Sequence, residues 1–107
     1  MAETKNASFD ELINSEKPVL VDFSAVWCGP CQMMAPILKE LKTRVGEDAV
    51  IIKVDVDKNR KLAMDYRIQG VPTLMVFQKG EVKWGQSGVV QVTPLEHILK
   101  QYMPAKA

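Results

Sequence analysis

The segment AVWCGPCQMMAPILKEL, residues 25–41, carries both cysteines of this 107-residue chain, three positions apart. Just ahead of it lies VLVDF, residues 19–23, a nearly continuous apolar run. Such a run predicts a strand covered on both faces. Beyond the cysteines, Ala35, Leu38 and Leu41, with Met34 and Ile37 beside them, are spaced for the buried face of a helix that stops near Gly46. The cysteines therefore stand where a strand gives way to a helix.

Working outward, Ser8 and Glu11 fit a capping box ahead of a short helix whose face is Phe9, Leu12 and Ile13. Ala49 to Val56 is rich in branched residues and predicts a second strand. Asp57 or Asn59 is placed to cap a third helix bearing Leu62, Ala63 and Tyr66, a unit that Gly70 ends. Thr73–Phe77 and Val82–Trp84 flank Gln78-Lys79-Gly80-Glu81, a hairpin with glycine in its turn. Thr93, Pro94 and Glu96 read as cap, first-turn proline and capping-box acid of a last helix with Leu95, Ile98, Leu99 and Tyr102 on its buried side. The order α, β, α, β, α, β, β, α predicts a three-layer α/β domain, with parallel crossovers and an antiparallel edge on a mixed sheet. There is no internal repeat or linker, and the expectation is a single domain over residues 1–107.

Composition narrows the functions. Net charge is +1 and the charged residues are interspersed, so no basic stripe points to nucleic acid. The start, MAETKNASFDEL, lacks the apolar core of a signal peptide, and runs such as AVIIKVDV are too short and too charged to span a membrane. The expected location is the cytoplasm. In a reducing compartment two close cysteines point to catalysis or metal rather than to a structural framework.

Cys28 and Cys31 could serve four uses. As a staple the pair would close a loop of about four residues, worth roughly 2 kcal/mol or less by loop entropy. A zinc site lacks ligands, since His97 is the only histidine and belongs to the last helix. Covalent haem attachment needs histidine after the second cysteine, where Gln32 stands. Redox exchange remains. At the carboxyl end of a strand, Cys28 meets unpaired N–H groups and the positive end of a helix dipole, which favour thiolate over thiol. Cys31, one turn in and better shielded, comes within bonding reach. Pro30 fits the first turn without losing a hydrogen bond, and Gly29 leaves room for another protein's backbone.

WCGPC, residues 27–31, resembles the active-site motif of the thioredoxin family. The similarity continues through VDFSAVWCGPCQMMAPIL, IIKVDVDKN, GVPTLMVFQKGE and Ser87-Gly88-Val89, nearly the whole chain in order. The resemblance implies the thioredoxin fold, a three-layer α/β/α arrangement with a mixed sheet of four or five strands flanked by four helices. It implies a protein-disulfide reductase in which Cys28 attacks a client disulfide and Cys31 resolves the mixed disulfide. An NADPH-dependent flavoprotein thioredoxin reductase would restore the dithiol. Neither a bound cofactor nor a metal is implied, and the expected state is a monomer. By the same resemblance Pro72 is a cis-proline facing the cysteines. A trans proline opening an edge strand is what base frequency alone favours.

Asp22 sits inside the apolar strand before the motif. It is either a hydrogen-bonded or water-exposed acid at a strand end or a desolvated carboxyl that takes the proton from Cys31; its place on the strand leading into the motif, together with the resemblance, favours the second. Lys53 is its charge partner on a neighbouring strand or a snorkelling surface lysine. Trp27, Val71, Gly88 and Val89 would line an apolar rim for a client backbone, with core packing as the competing role of both valines. Met33 and Met34 read as gap-fillers.

Three features depart from the family pattern. Ser24 stands where many relatives carry a second tryptophan, and Gln32 replaces a frequently basic residue. Little apolar material precedes Ser8 to build the family's extra N-terminal strand. Two rival functions fit the same letters: an oxidase or isomerase of the same fold, and a protein-binding module with silent cysteines.

Overall fold

The computed structural model describes residues 6–104. Their elements run α1 (Asn6–Ile13), β1 (Val19–Ser24), α2 (Gly29–Val45), a 3-10 turn (Gly46–Asp48), β2 (Val50–Asp55), α3 (Arg60–Asp65), β3 (Thr73–Gln78), β4 (Glu81–Ser87) and α4 (Val92–Lys100). The four strands form one sheet in the order β2-β1-β3-β4. β1 and β2 are parallel, whereas β3 is antiparallel to both β1 and β4. The expected order of elements is therefore right, but the α3 link reverses the chain and makes no second parallel crossover. The family's extra N-terminal strand, for which the sequence before Ser8 offers little apolar material, falls on residues 1–5, outside the described residues.

Alternation along β1 sorts the core into two layers. Val19, Val21 and Phe23 join Phe9 and Ile13 of α1 and Leu62 of α3 on one face. Leu20 joins Met34, Leu38, Leu41 and Val45 of α2 and Leu95 and Leu99 of α4 on the other. All six β1 residues are buried, Asp22 and Ser24 included, in keeping with the nearly continuous apolar run. Phe9 anchors the first layer, with ring centroids 5.5 Å from Phe77, 5.6 Å from Tyr66 and 6.4 Å from Phe23.

Several boundaries differ from those expected. α1 starts at Asn6, so Ser8 lies within the helix and is not its cap. α4 starts at Val92, leaving Thr93 inside, where its hydroxyl accepts from Arg44 Nη1 at 3.2 Å. Asn59 precedes α3 without a side-chain cap bond; its Nδ2 donates to the Asp55 carbonyl at 2.9 Å. On α2, Ala35 and Met33 are exposed while Met34 is buried, because the helix packs through Met34, Leu38, Leu41 and Val45. The hairpin turn matches its sequence: Lys79 and Gly80 have φ of 54° and 81°, the signs a two-residue type I′ turn demands. The turn is tied to the end of α1, since Gly80 N–H donates to the Ile13 carbonyl at 3.0 Å.

Phe9 is fully buried in the aromatic group, so truncation removes both transfer energy and ring contacts. Phe9→Ala should cost about 3–5 kcal/mol in denaturant unfolding; a loss below about 1 kcal/mol would show that α1 is not integral to the core.

Candidate active site

β1 delivers the chain to Ala25, and a short turn closed by Cys28 N–H on the Ala25 carbonyl (3.2 Å) leads into α2. Cys28 is the N-cap of that helix, with an extended backbone (φ −92°, ψ 113°). Its Sγ accepts a hydrogen bond from the Cys31 backbone N–H at 3.1 Å. A sulfur thus takes the capping place that serine or aspartate oxygen usually fills. Gly29 and Pro30 are the first two helical residues, and the proline stands where an N–H has no helical acceptor. Gly29 is exposed, with nothing within 4 Å of where a Cβ would stand.

Cys28 and Cys31 are joined as a disulfide, with Cα atoms 5.3 Å apart. Cys28 is 4% exposed and Cys31 2%, so in this oxidised form the expected difference in shielding is slight. Ala25, Val56 and Val71 pack around the pair. The Val71 carbonyl lies 3.6 Å from Cys28 Sγ, and the bond from Val71 to the buried Pro72 is cis. Pro72 therefore stands beside the cysteines in the isomer expected from the family resemblance. The loop is held on both sides: Thr73 Oγ1 donates to the Gly70 carbonyl at 2.6 Å, and Gly88 N–H donates to the Pro72 carbonyl at 2.8 Å. Gly88 has φ 94°, a left-handed conformation that glycine adopts without strain.

The expected docking rim divides. Trp27 is 69% exposed beside the cysteines, and its Nε1–H donates to Asp57 Oδ2 at 2.7 Å. Trp27, Val56, Ile68, Gln69, Gly70 and Val71 line a shallow groove of about 120 Å³. Gly88 is exposed, while Val89 is half-buried against the α2/α4 core, which favours its packing role. Sequence reasoning missed Asp57 and Val56 as site residues: Asp57 looked like a helix cap, and no spacing ties it to Trp27, thirty positions away. A larger groove, about 580 Å³ between α2 and β2, includes Leu38, Lys39 and Ile51 but neither cysteine.

Asp22 shares the α2 face of β1 with Leu20 and Ser24 and is 1% exposed. Burial pushes its pKa up from 3.8 to about 6, against the opposing pull of Lys53. Lys53 pairs with Asp22 in the β1–β2 register while remaining exposed, so it is at once a surface lysine and the acid's cationic neighbour. Asp22 Oδ1 and Ser24 Oγ are buried without a hydrogen-bond partner among the described residues. His97 is exposed on α4. Among the described residues no group of three or more His, Cys, Asp or Glu could hold a metal ion, and no helix is long and apolar enough to cross a membrane.

A capping cysteine disulfide-bonded one turn into a helix, opposite a cis-proline loop on a mixed sheet, defines a site for thiol–disulfide exchange. The Thioredoxin family model matches residues 1–101, and the chain belongs to the thioredoxin family. A thioredoxin-like protein of Synechocystis sp. is 43% identical over 98 residues, covering 91% of this chain and 93% of its own. Thioredoxin of Porphyra purpurea is 38% identical over 104 residues, 96% of this chain and 97% of its own. Chloroplastic thioredoxin Y of Oryza sativa subsp. japonica is 49% identical over 76 residues, 70% of this chain but 45% of that longer protein. Among solved structures, a single-site mutant of thioredoxin from Halobacterium salinarum NRC-1 superposes with a TM-score of 0.84 at 34% identity, covering 98% of this chain and 92% of that one. Family membership implies thiol–disulfide oxidoreductase activity on disulfide-containing clients.

The raised pKa of Asp22 fixes a pH window. Its folded value of about 6 exceeds the ordinary 3.8, so the acid's contribution to stability is whole below 3.8 and is lost as pH rises through 6. Asp22→Asn escapes that loss. The variant should exceed the parent by about 2–3 kcal/mol at pH 7, with the gap opening between about pH 4 and 6 in thermal or denaturant unfolding. A gap that does not change with pH would show that the carboxyl ionises freely in the fold.

Proposed function

We propose that this chain acts as one thioredoxin domain, a general protein-disulfide reductase working as a monomer. The observation that carries the reading is the capping hydrogen bond from Cys31 N–H to Cys28 Sγ at 3.1 Å, which favours negative charge on that sulfur. Cys28 thiolate attacks a client disulfide; a Cys28–client bond forms, the client S–S bond breaks, and one client sulfur leaves as thiolate. Cys31 then yields its proton to the Asp22 carboxylate, and its sulfur attacks Cys28 Sγ. The second client sulfur departs, and two electrons have passed from the dithiol to the client. An NADPH-dependent flavoprotein thioredoxin reductase returns two electrons to the pair.

The other residues serve this exchange by position. Gly29 and Pro30 open the approach to Cys28 and start the helix. Trp27 and Val71 form the apolar side of the docking rim, Gly88 gives it an exposed backbone, and Val89 supports it from the core. Pro72 sets the Val71 carbonyl beside the attacking sulfur, and Lys53 favours the ionised form of Asp22. The proposed setting is a reducing compartment, the cytoplasm, on this chemistry alone, since the rice relative is named chloroplastic.

Reduction of insulin disulfides tests the roles. Cys28→Ser should abolish turnover, by at least about 10³-fold, because the nucleophile is gone. Cys31→Ser should instead accumulate clients as mixed disulfides that dithiothreitol releases. Turnover by Cys28→Ser would remove the mechanism, and clients held by Cys31→Ser regardless of reductant would favour a binding module.

A further inference from the structure

α3 ends in a backbone motif that asks for glycine and carries arginine. Past the C-cap Tyr66, Arg67 N–H donates to the Met64 carbonyl at 3.0 Å and Ile68 N–H to the Ala63 carbonyl at 2.9 Å. This is the Schellman pairing, in which the first residue beyond the cap takes a left-handed backbone and is usually glycine. Here that residue is Arg67, with φ 56°. A side chain in this region costs free energy that glycine escapes, so local stability does not account for the arginine.

Arg67 borders a groove of about 280 Å³ between the end of α3 and the β3–β4 hairpin, which Tyr66, Gln69, Thr73, Gln86 and Ser87 also line. Ile68 and Gln69 belong both to this groove and to the shallower one beside Trp27 and Val71. A polypeptide lying across the docking rim therefore runs on, over Ile68 and Gln69, into polar surroundings. The Thr73 and Ser87 hydroxyls face each other at 3.2 Å. Arg67, Gln69 and Gln86 are exposed, and their side chains make no hydrogen bond or ion pair among the described residues. Burial and the charges of Asp10 and Asp65 raise the pKa of Tyr66, and Asp65 is itself held by Lys61 Nζ at 3.1 Å. Neither acid lines the groove.

We propose, resting on the reductase reading of this site, that Arg67 is a specificity-determining residue that favours clients carrying an aspartate or glutamate a few residues from the disulfide cysteine. The guanidinium offers a carboxylate two parallel donors, and the amides of Gln69 and Gln86 offer further ones. The contact is open to solvent, so the selectivity is modest and falls with salt.

The test uses synthetic peptides, each with one cysteine in a mixed disulfide with a fluorescent thiol. Glutamate, glutamine or lysine is placed in turn within about five residues on either side, about 17 Å of extended chain. Thiol release by the reduced protein is timed for the parent, Arg67→Gly and Arg67→Lys. At one register or more the glutamate peptide should react about two- to fivefold faster than its glutamine counterpart at low salt, with lysine slower than both. Arg67→Gly should erase that preference, Arg67→Lys should keep most of it, and added salt should compress it. Equal rates for glutamate and glutamine at every position in the parent would overturn the proposal, as would a preference that survives in Arg67→Gly. Glycine takes this backbone freely, so Arg67→Gly should melt no lower than the parent. A lower melting temperature would assign the arginine to packing and overturn its role in selection. Failure of the reductase reading looks different: the parent would then release thiol no faster than Cys28→Ser from any peptide, and both readings would fall.

Discussion

A single backbone N–H aimed at a sulfur organises this molecule. The hydrogen bond from Cys31 to Cys28 Sγ at 3.1 Å begins α2 and lies within the reactive pair. A helix that starts there needs an acceptor at its N-cap, and a cysteine in that role is stabilised most when it carries negative charge. Local structure and chemistry thus ask for the same ionisation state. The rest of the architecture holds that junction still: β1 is buried along its whole length, α2 is fastened to it through Met34, Leu38 and Leu41, and the cis-proline loop closes the far side.

Asp22 shows what the arrangement costs. A carboxyl at 1% exposure inside an otherwise apolar strand weakens the fold at neutral pH, and desolvation is the cause of its raised pKa. A residue chosen for stability alone would be valine or leucine, as at Leu20 one pleat away. The acid is tolerable because Lys53 is its register partner and because the core on both faces of the sheet is continuous. In the mechanism we propose, its value lies in a proton acceptor with a pKa near the working pH, which efficient proton transfer requires.

Much of this was legible in the residues, and the failures have physical causes. The VLVDF run and the 3.6-residue spacing of α2 placed the strand–helix junction, since burial on both sides of a strand and one side of a helix leaves distinct patterns. Gly80 marked the hairpin, because glycine accepts the positive φ a tight turn needs, whereas the φ of 54° at Lys79 left no mark in the sequence. Boundaries fared worse at Ser8 and Thr93, where capping-box letters sit inside helices that start two and one residues earlier. Propensity names good caps, but tertiary packing decides which turn is first. The Trp27–Asp57 bond and the packing of Val56 on the cysteines were out of reach, because only the parallel pairing of β1 with β2 brings the loop after β2 beside the motif. Pro72 was legible through family resemblance and not through propensity, which favours trans.

The claim at the centre is that helix geometry ionises Cys28. The direct measurement is the rate of Cys28 alkylation by iodoacetamide in the fully reduced protein across a pH series, with Cys31→Ser as a single-thiol check. The account requires half-maximal reactivity well below the ordinary thiol value of about 8.5. A midpoint at or above that value in both proteins would contradict it.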